Sequence, residues 1–513
     1  EFVNKLDGMF AFAIWDPREN RLILARDRLG KKPLYYFKGG QIIKFASELT
    51  ALRCGDVRPV SLDRGALSHF LSFNYCPTQS TIVEGASRVP PASFIDFRIG
   101  KEPRVEQYWN LAEKFKLKKV EISERQAVEK LGALIDQSVR DRLFSDVPLG
   151  VFLSAGIDSA TIAESMHRQS GIRGIEAYTM GFSDADFDET VGAEATAADI
   201  GIKINQKQHA VCLPDILPQV VAAFDEPFAD TSMLPTYSLC KFAREEVTVS
   251  LSGDGGDENF CGYPTYVADQ LHQKTHAVFQ WLTPTLSSLM NTFGPVGLGK
   301  VGWDEKLRRF LSAHHLPFPR SHSAWRMVFS EKEKEDLLSA SIKKGGEIDA
   351  FKFIESEDEK LAGASLLDRA IYIDIKTWLV DDILVKIDRA SMAHALEIRS
   401  PLLDHRIVEF AASLPDHMKI KALKQKYILR RLAEKRLSGH VINRPKQGFS
   451  APVSRWLLND LREIGQDITL GAQLSTYLSR KPIETLWRDH LIGKRDNGLK
   501  LFGLLCMGLW LGK

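Results

Sequence analysis

Two short loops hold the residues of this chain best suited to chemistry. The first, GVFLSAGIDS at 150–159, runs from an apolar stretch into a helical pattern and holds Gly156, the hydroxyls of Ser154 and Ser159, and the carboxylate of Asp158. A helix N-terminus presents free backbone N–H groups and the positive end of the helix dipole, which suits a phosphate. Asp158 would repel a bare phosphate. It either holds a Mg2+ that bridges one or is an early-turn acid that stabilises the dipole. The second loop, VTVSLSGDGGDE at 247–258, again follows a strand-like run. Gly253, Gly255 and Gly256 let backbone approach a ligand closely, with Asp254, Asp257 and Glu258 beside them. Acids beside phosphates are useful when a metal lies between them or when one acid positions an attacking group. The plain alternative is an Asx/Gly turn.

Both loops need strands to launch them. After a Lys-rich, aperiodic stretch at 113–122, read as a linker, the helical spacing of Glu124–Phe144 is followed by alternating strand and helix patterns. Strands are expected at Leu149–Leu153, Ala177–Phe182, Lys203–Ala210 and Val247–Leu251, and helices at Asp158–Gln169, Glu189–Ile200 and on to about Arg244. Such alternation predicts an α/β fold, a parallel sheet with helices on both faces. From Tyr263 onward helices dominate, with long periodic segments near Ser365–Leu396 and Lys424–Leu437, so residues 123–513 end in a helical extension. Residues 1–112 are instead β-rich, with short apolar runs at Met9–Trp15, Arg21–Ala25, Leu34–Phe37, Ile42–Ala46 and Ala92–Phe97.

Composition narrows the function classes. A chain of 513 residues, 44% hydrophobic, can bury two or three cores. A net charge of +2 gives no bulk field for nucleic acid or an anionic membrane. The run Lys114–Lys119 reads as a solvated linker or helix face. Cys54, Cys76, Cys212, Cys240, Cys261 and Cys506 are scattered, with no CxxC pair and no zinc-like spacing, which fits buried free thiols in a reducing compartment. No apolar run reaches the roughly 20 residues of a membrane span, and no secretory signal opens the chain, so a cytoplasmic location is expected.

The first loop resembles the SGGxDS pyrophosphate loop of the ATP pyrophosphatase superfamily, departing from it at Ala155, where that family has glycine. A left-handed backbone at that position would cost alanine about 1 kcal/mol. The second loop resembles the LSGDGGDELFGGY motif of glutamine-hydrolysing asparagine synthetases, departing at Asn259 and Cys261. Further matches to that family run in order along the chain: ARDRLGKKPLYY at 25–36, FASELTAL at 45–52, DEPFADTSMLP at 225–235, WLVDDILVKIDRASM at 378–392, EIRSPLLD at 397–404, KYILR at 426–430 and RPKQGF at 444–449. The resemblance implies an ATP pyrophosphatase domain of the adenine nucleotide alpha hydrolase type over 123–513. It implies that 1–112 is the rear of an α+β glutaminase domain of the N-terminal-nucleophile type.

The resemblance also carries residue roles. Ser154, Gly156 and Ser159 would cradle pyrophosphate, and Leu153, Met180, Ser252 and Gly253 would touch the nucleotide. Leu153 and Met180 read equally well as core. Asp254 would support formation of an aspartyl-adenylate, and Asp158 and Asp257 would hold Mg2+. Lys426, which on a helix is ordinarily solvated, would balance charge on the adenylate. Asp382, Lys386 and Arg389 lie among apolar positions and must be paired, which structural ion pairs would satisfy. The implied cofactors are ATP and Mg2+. The implied partners are aspartate or another small carboxylate, and ammonia or glutamine, with a homodimer allowed.

The family's glutaminase uses an N-terminal cysteine nucleophile. No cysteine precedes Cys54 here, residue 1 is Glu, and a strand lies close to the start. The expectation is that upstream residues are missing and that the chain as written uses free ammonium but does not hydrolyse glutamine. Ammonia would cross between domains along a face lined by small or apolar groups. Three rivals remain at this level: the same chemistry on another carboxylate, as in β-lactam closure or amidation of sugars and peptides; a tRNA-modifying enzyme; and a degenerate, non-catalytic subunit.

Overall fold

The computed structural model describes residues 2–40, 42–53, 61–77, 80–169, 175–182, 184, 186–208, 212–279, 283, 303–343, 349–444 and 451–512. Cys54 and most of the RPKQGF turn lie outside them. Strands β1 (Ala11–Asp16), β2 (Arg21–Arg26), β6 (Ser93–Arg98) and β7 (Arg104–Gln107) form an antiparallel sheet in the order β1-β2-β6-β7. Strands β3 (Tyr35–Gly39), β4 (Ile42–Ala46) and β5 (Ala86–Arg88) form a second antiparallel sheet, ordered β4-β3-β5. Short apolar runs separated by tight turns pair with their neighbours in just this way.

The larger unit is a parallel sheet of five strands: β8 (Leu149–Phe152), β9 (Glu176–Gly181), β10 (Lys203–Gln208), β11 (Val249–Leu251) and β12 (Glu397–Arg399), ordered β10-β9-β8-β11-β12. Side chains alternate between its two faces. Val151, Ala177 and Leu251 enter one apolar cluster with the helices Glu124–Leu143 and Ile157–Gln169. Phe152, Tyr178 and Met180 enter another with the helix Met233–Ala243. Both faces are therefore covered, as the alternating pattern predicts. The chain moves outward from β8 through β9 to β10, then returns to place β11 on the other side of β8. Connections diverge at that point, and a crevice opens beyond the strand ends.

Several expectations change. β12 falls just past a segment read as one helix to Leu396. With only Ile398 apolar, three residues are too few to show a period of two. The helical run itself is regular over Leu366–Asp374, π-helical over Ile375–Ile383 and regular again over Leu384–Met392. The first residues of the 113–122 linker lie in the helix Leu111–Lys116, capped by Asn110 and anchored by buried Phe115. Its lysine run is not all solvated, since the Lys119 amine lies 2.5 Å from buried Asp368. Cys212 is exposed, whereas Cys76, Cys240, Cys261 and Cys506 are buried free thiols. The last helix, Gly498–Leu511, shares its apolar core with the helix Arg64–Phe73 near the other end of the chain. Among the described residues no helix is long and apolar enough to cross a membrane.

The contact between the antiparallel sheets and the parallel-sheet unit is strongly polar. Buried Arg88 on β5 pairs with Glu226 and reaches Asp381 at 3.4 Å. Lys32 pairs with Asp388 at 3.0 Å, Arg389 donates to the Ser47 carbonyl at 3.0 Å, and the Trp109 indole donates to Glu409 at 2.7 Å. A small cavity there is lined by Arg26, Lys31, Arg88, Asp388 and Arg389 as well as by Pro33 and Leu34. Gly30, Leu384 and Val385 line it too, so the expected small or apolar groups are present there alongside the charged ones. Charged side chains fill the contact, and mutual pairing makes their burial tolerable.

Candidate active site

A cleft of about 400 Å3 opens beyond the C-terminal ends of β8 and β11. Leu153, Ser154, Gly156, Asp158, Ser159, Met180, Ser252, Gly253, Asp254, Asp257 and Lys426 all line it. Thus one surface gathers every residue to which the resemblance gave a nucleotide, metal or catalytic role, although Lys426 lies far along the chain from both loops. Leu153 and Met180 are 3% exposed and belong to the cores on opposite faces of the sheet, so each is both core and cleft wall.

The first loop is tied to itself. The Ser154 and Ser159 hydroxyls are 2.9 Å apart, and the Ser154 hydroxyl accepts from the Gly156 amide at 3.1 Å. The Ser159 hydroxyl also accepts from the Ser154 amide at 3.1 Å, so both hydroxyls are held at the start of the helix Ile157–Gln169. Ala155 is not among the residues with a left-handed backbone, so the departure from glycine carries no such strain.

The second loop packs directly on the first. A methyl group at Gly253 would come within 2.7 Å of the Ser159 amide nitrogen. Only glycine lets the two loops approach this closely. Asp254 accepts from the Ser252 hydroxyl at 2.6 Å, and burial pushes its carboxyl above the usual range despite that bond.

Lys426 joins the two loops. Its ammonium pairs with Asp158 of the first and, at 2.6 Å, with Asp257 of the second. Burial opposes the charge, but the two carboxylates outweigh it and hold the amine well above the usual lysine value. Lys426 is 5% exposed, so the ordinary reading of a solvated helix lysine does not hold. It caps the helix Tyr427–Ala433 in a left-handed conformation, φ 54°, and its amide donates to the Phe260 carbonyl at 3.0 Å. That turn points the side chain back under the second loop. Gly262 leaves the room, because any side chain there would run into Asp257 and Lys426.

Some cleft residues were given no role from the sequence. Asp230 and Lys386 form a buried pair at 2.7 Å. Burial would lower the Lys386 amine, but Asp230 and Asp382 raise it; burial and then Asp230 push Asp382 far up. These contacts fit the ion-pair reading of Lys386 and also place it in the cleft wall. Arg389, by contrast, pairs with Asp225 and faces the antiparallel sheets through the Ser47 carbonyl. Glu258, Tyr263, Trp378, Arg430 and Arg444 also line the cleft. Each stands in or beside a motif noted above, but aromatic and arginine side chains at such positions look like core or surface until the fold brings them together.

Among the described residues no cluster of three or more His, Cys, Asp or Glu is arranged to hold a metal. Two carboxylates, however, suit Mg2+, which commonly takes one or two from protein and the rest from phosphate and water. Asp158 and Asp257 already bracket a cation, the Lys426 ammonium.

Comparison with known proteins agrees with this arrangement. Residues 130–512 match the asparagine synthase family model, and residues 1–109 match that of the glutamine amidotransferase domain. A glutamine-hydrolysing asparagine synthetase of Bacillus subtilis, the one numbered 1, is 32% identical over 99% of this chain and 78% of its own length. The one numbered 3 from the same organism is 27% identical over 99% of this chain and 77% of its own. The amidase chry2 of Gibberella zeae is 26% identical over 89% of this chain and 71% of its own. The five-stranded parallel sheet is consistent with an ATP pyrophosphatase type of fold. On these grounds the chain belongs to the asparagine synthase family and is a carbon–nitrogen ligase of the asparagine synthase type, with a glutamine amidotransferase portion ahead of its synthase domain.

Proposed function

We propose that the cleft binds ATP with Mg2+, activates the side-chain carboxylate of aspartate as its adenylate, and amidates that adenylate with ammonia to give asparagine, AMP and pyrophosphate. The observation that carries this reading is the bridge made by Lys426 between the acids of two glycine-bearing loops at a switch point of the sheet. Ser154, Gly156 and Ser159 offer donors at a helix N-terminus for pyrophosphate, and Leu153, Met180, Ser252 and Gly253 seat the nucleotide. Asp158 and Asp257 are the groups that would hold Mg2+, which when bound offsets the charge of the leaving pyrophosphate. Lys426 faces the negative charge that builds on the acyl-phosphate centre, and Asp254 orients the acceptor side. The protein's contribution is positioning and charge stabilisation. Residues 1–112 are assigned to the amidotransferase portion, 113–122 to the linker and 123–513 to the synthetase, with glutamine as the normal source of ammonia.

Incubation of the full chain with MgATP, aspartate and ammonium tests the reading. AMP, pyrophosphate and asparagine should appear in equal amounts. Absence of exchange with every carboxylate in an ATP–pyrophosphate exchange screen would overturn it. Exchange with another carboxylate but not with aspartate would keep the adenylate chemistry and replace the acceptor.

A further inference from the structure

The end of the cleft next to Lys426 is built differently from the loops. Gly262 packs on Lys426 and Asp257, and the next residue, Tyr263, begins a wall completed by Trp378 and Glu258. The Tyr263 hydroxyl donates to Glu258 at 2.6 Å and accepts from the Trp378 indole at 3.2 Å. The two rings stand edge to face, 6.4 Å apart at 86°. Two aromatic faces and a carboxylate offer nothing to a triphosphate, so this wall suits the partner that is not phosphorylated.

Behind the wall lies a partly buried anchor outside the catalytic loops. The Arg326 guanidinium sits 5.1 Å from the centroid of each ring, Tyr263 and Trp378. It pairs with Asp374 through both of its terminal nitrogens and donates to the Thr265 hydroxyl at 3.1 Å. His322 donates to Asp374 at 2.9 Å and, from its other nitrogen, to Asp269 at 2.7 Å. His322, Asp269 and Asp374 are at most 1% exposed. Asp374 ends a regular helix, and Trp378 lies in the π-helical segment that continues it. A π-turn displaces side chains from regular helical register, and such turns are frequent at functional sites. Asp374, which holds the guanidinium, and the Trp378 ring are thus on one continuous element. Among side chains only a guanidinium can fork onto a carboxylate while stacking on aromatic faces.

We propose that Tyr263 and Trp378 form the specificity wall for the carboxylate acceptor, and that Arg326, fixed by Asp374 and His322, is the positioning residue that sets the wall's geometry. This inference rests on the acyl-adenylate reading given above.

The test uses the full chain with MgATP, ammonium and whichever carboxylate supports AMP formation in the wild type, aspartate first. Arg326→Met should raise the KM for the acceptor about ten-fold or more, with the KM for ATP changed by less than about two-fold. Arg326→Lys, which keeps the charge and loses the fork, should recover only part of the loss. A rise in both KM values together would mean that the wall faces the nucleotide, and would overturn the inference. So would unchanged KM values in an Arg326→Met protein that melts like the wild type. Should Arg326→Met fail to fold, Trp378→Leu must show the same split, and equal shifts there would sink the proposal. A wild type that makes no AMP with any carboxylate marks failure of the adenylate reading, and the inference then falls with it. An active wild type with unsplit variants marks failure of this inference alone.

Discussion

The ammonium of Lys426 lies 2.6 Å from the carboxylate of Asp257 and also pairs with Asp158, so one buried cation is shared by an acid from each loop. Removing it leaves two carboxylates facing each other across the cleft without a counter-charge. Lys426→Met should therefore lower amide formation from ammonium by about 10²–10³-fold, the usual cost of losing a group aimed at developing charge. AMP and amide release at saturating MgATP measure this. The same variant in the absence of nucleotide should bind Mg2+ or Mn2+ more tightly than the wild type in calorimetry, since the lysine no longer competes for Asp158 and Asp257.

The contact between the loops predicts opposite outcomes at two small residues. Gly253→Ala places a methyl group within 2.7 Å of the Ser159 amide nitrogen, where backbone cannot give way, so the loops must part. ATP affinity by calorimetry should fall about ten-fold or more while the melting temperature changes little. Ala155 is not left-handed, and its methyl group occupies space left open by Gly192, whose own added carbon would lie 2.5 Å away. Ala155→Gly should leave ATP affinity within about two-fold and cost roughly 0.5–1 kcal/mol of stability through the freer unfolded chain.

The loops and strands of the parallel sheet were legible because both signals are local. Apolar runs of four or five residues ending in SAGIDS or SGDGGDE mark strand, turn and ligand loop together. Lys426 was nameable only by its likeness to the KxxLR motif. Its burial depends on a left-handed backbone at the helix cap and on the empty space at Gly262, neither of which periodicity reveals. β12 was missed because Glu397 and Arg399 flank a single apolar residue, and its place in the sheet is set by pairing with β11. The Arg326 anchor was invisible for a similar reason. Asp269, His322 and Asp374 come from three distant helices, and each alone reads as a surface residue.

The ion pairs between the antiparallel sheets and the parallel-sheet unit should be sensitive to loss of one partner. Arg88 is buried between Glu226 and Asp381, with its ring neighbour Tyr35 at 5.7 Å. Arg88→Met removes the cation that two buried acids share, which should cost about 3–5 kcal/mol in urea unfolding. Arg88→Lys should cost less, yet fall short of wild type, because an ammonium cannot address two acids with a planar fork.

The His322 cluster gives stability a pH dependence with a definite sign. Burial alone would lower the imidazole, but Asp269 and Asp374 more than offset it and raise His322 from 6.5 to about 9. A group whose folded value is raised binds protons more tightly in the native state, so its contribution is complete below the unfolded value. The contribution, on the order of 3 kcal/mol, shrinks as pH climbs from 6.5 and is gone above about 9. Asp374 is held below the ordinary carboxylate range, first against burial and then by Arg326 and His322, so the acid stays charged throughout that window. The stability difference between wild type and His322→Gln, followed by melting temperature, should be largest near about pH 6 and small by about pH 10. A difference that is flat across that range would mean that His322 is neutral in the folded protein and that Arg326 alone holds Asp374.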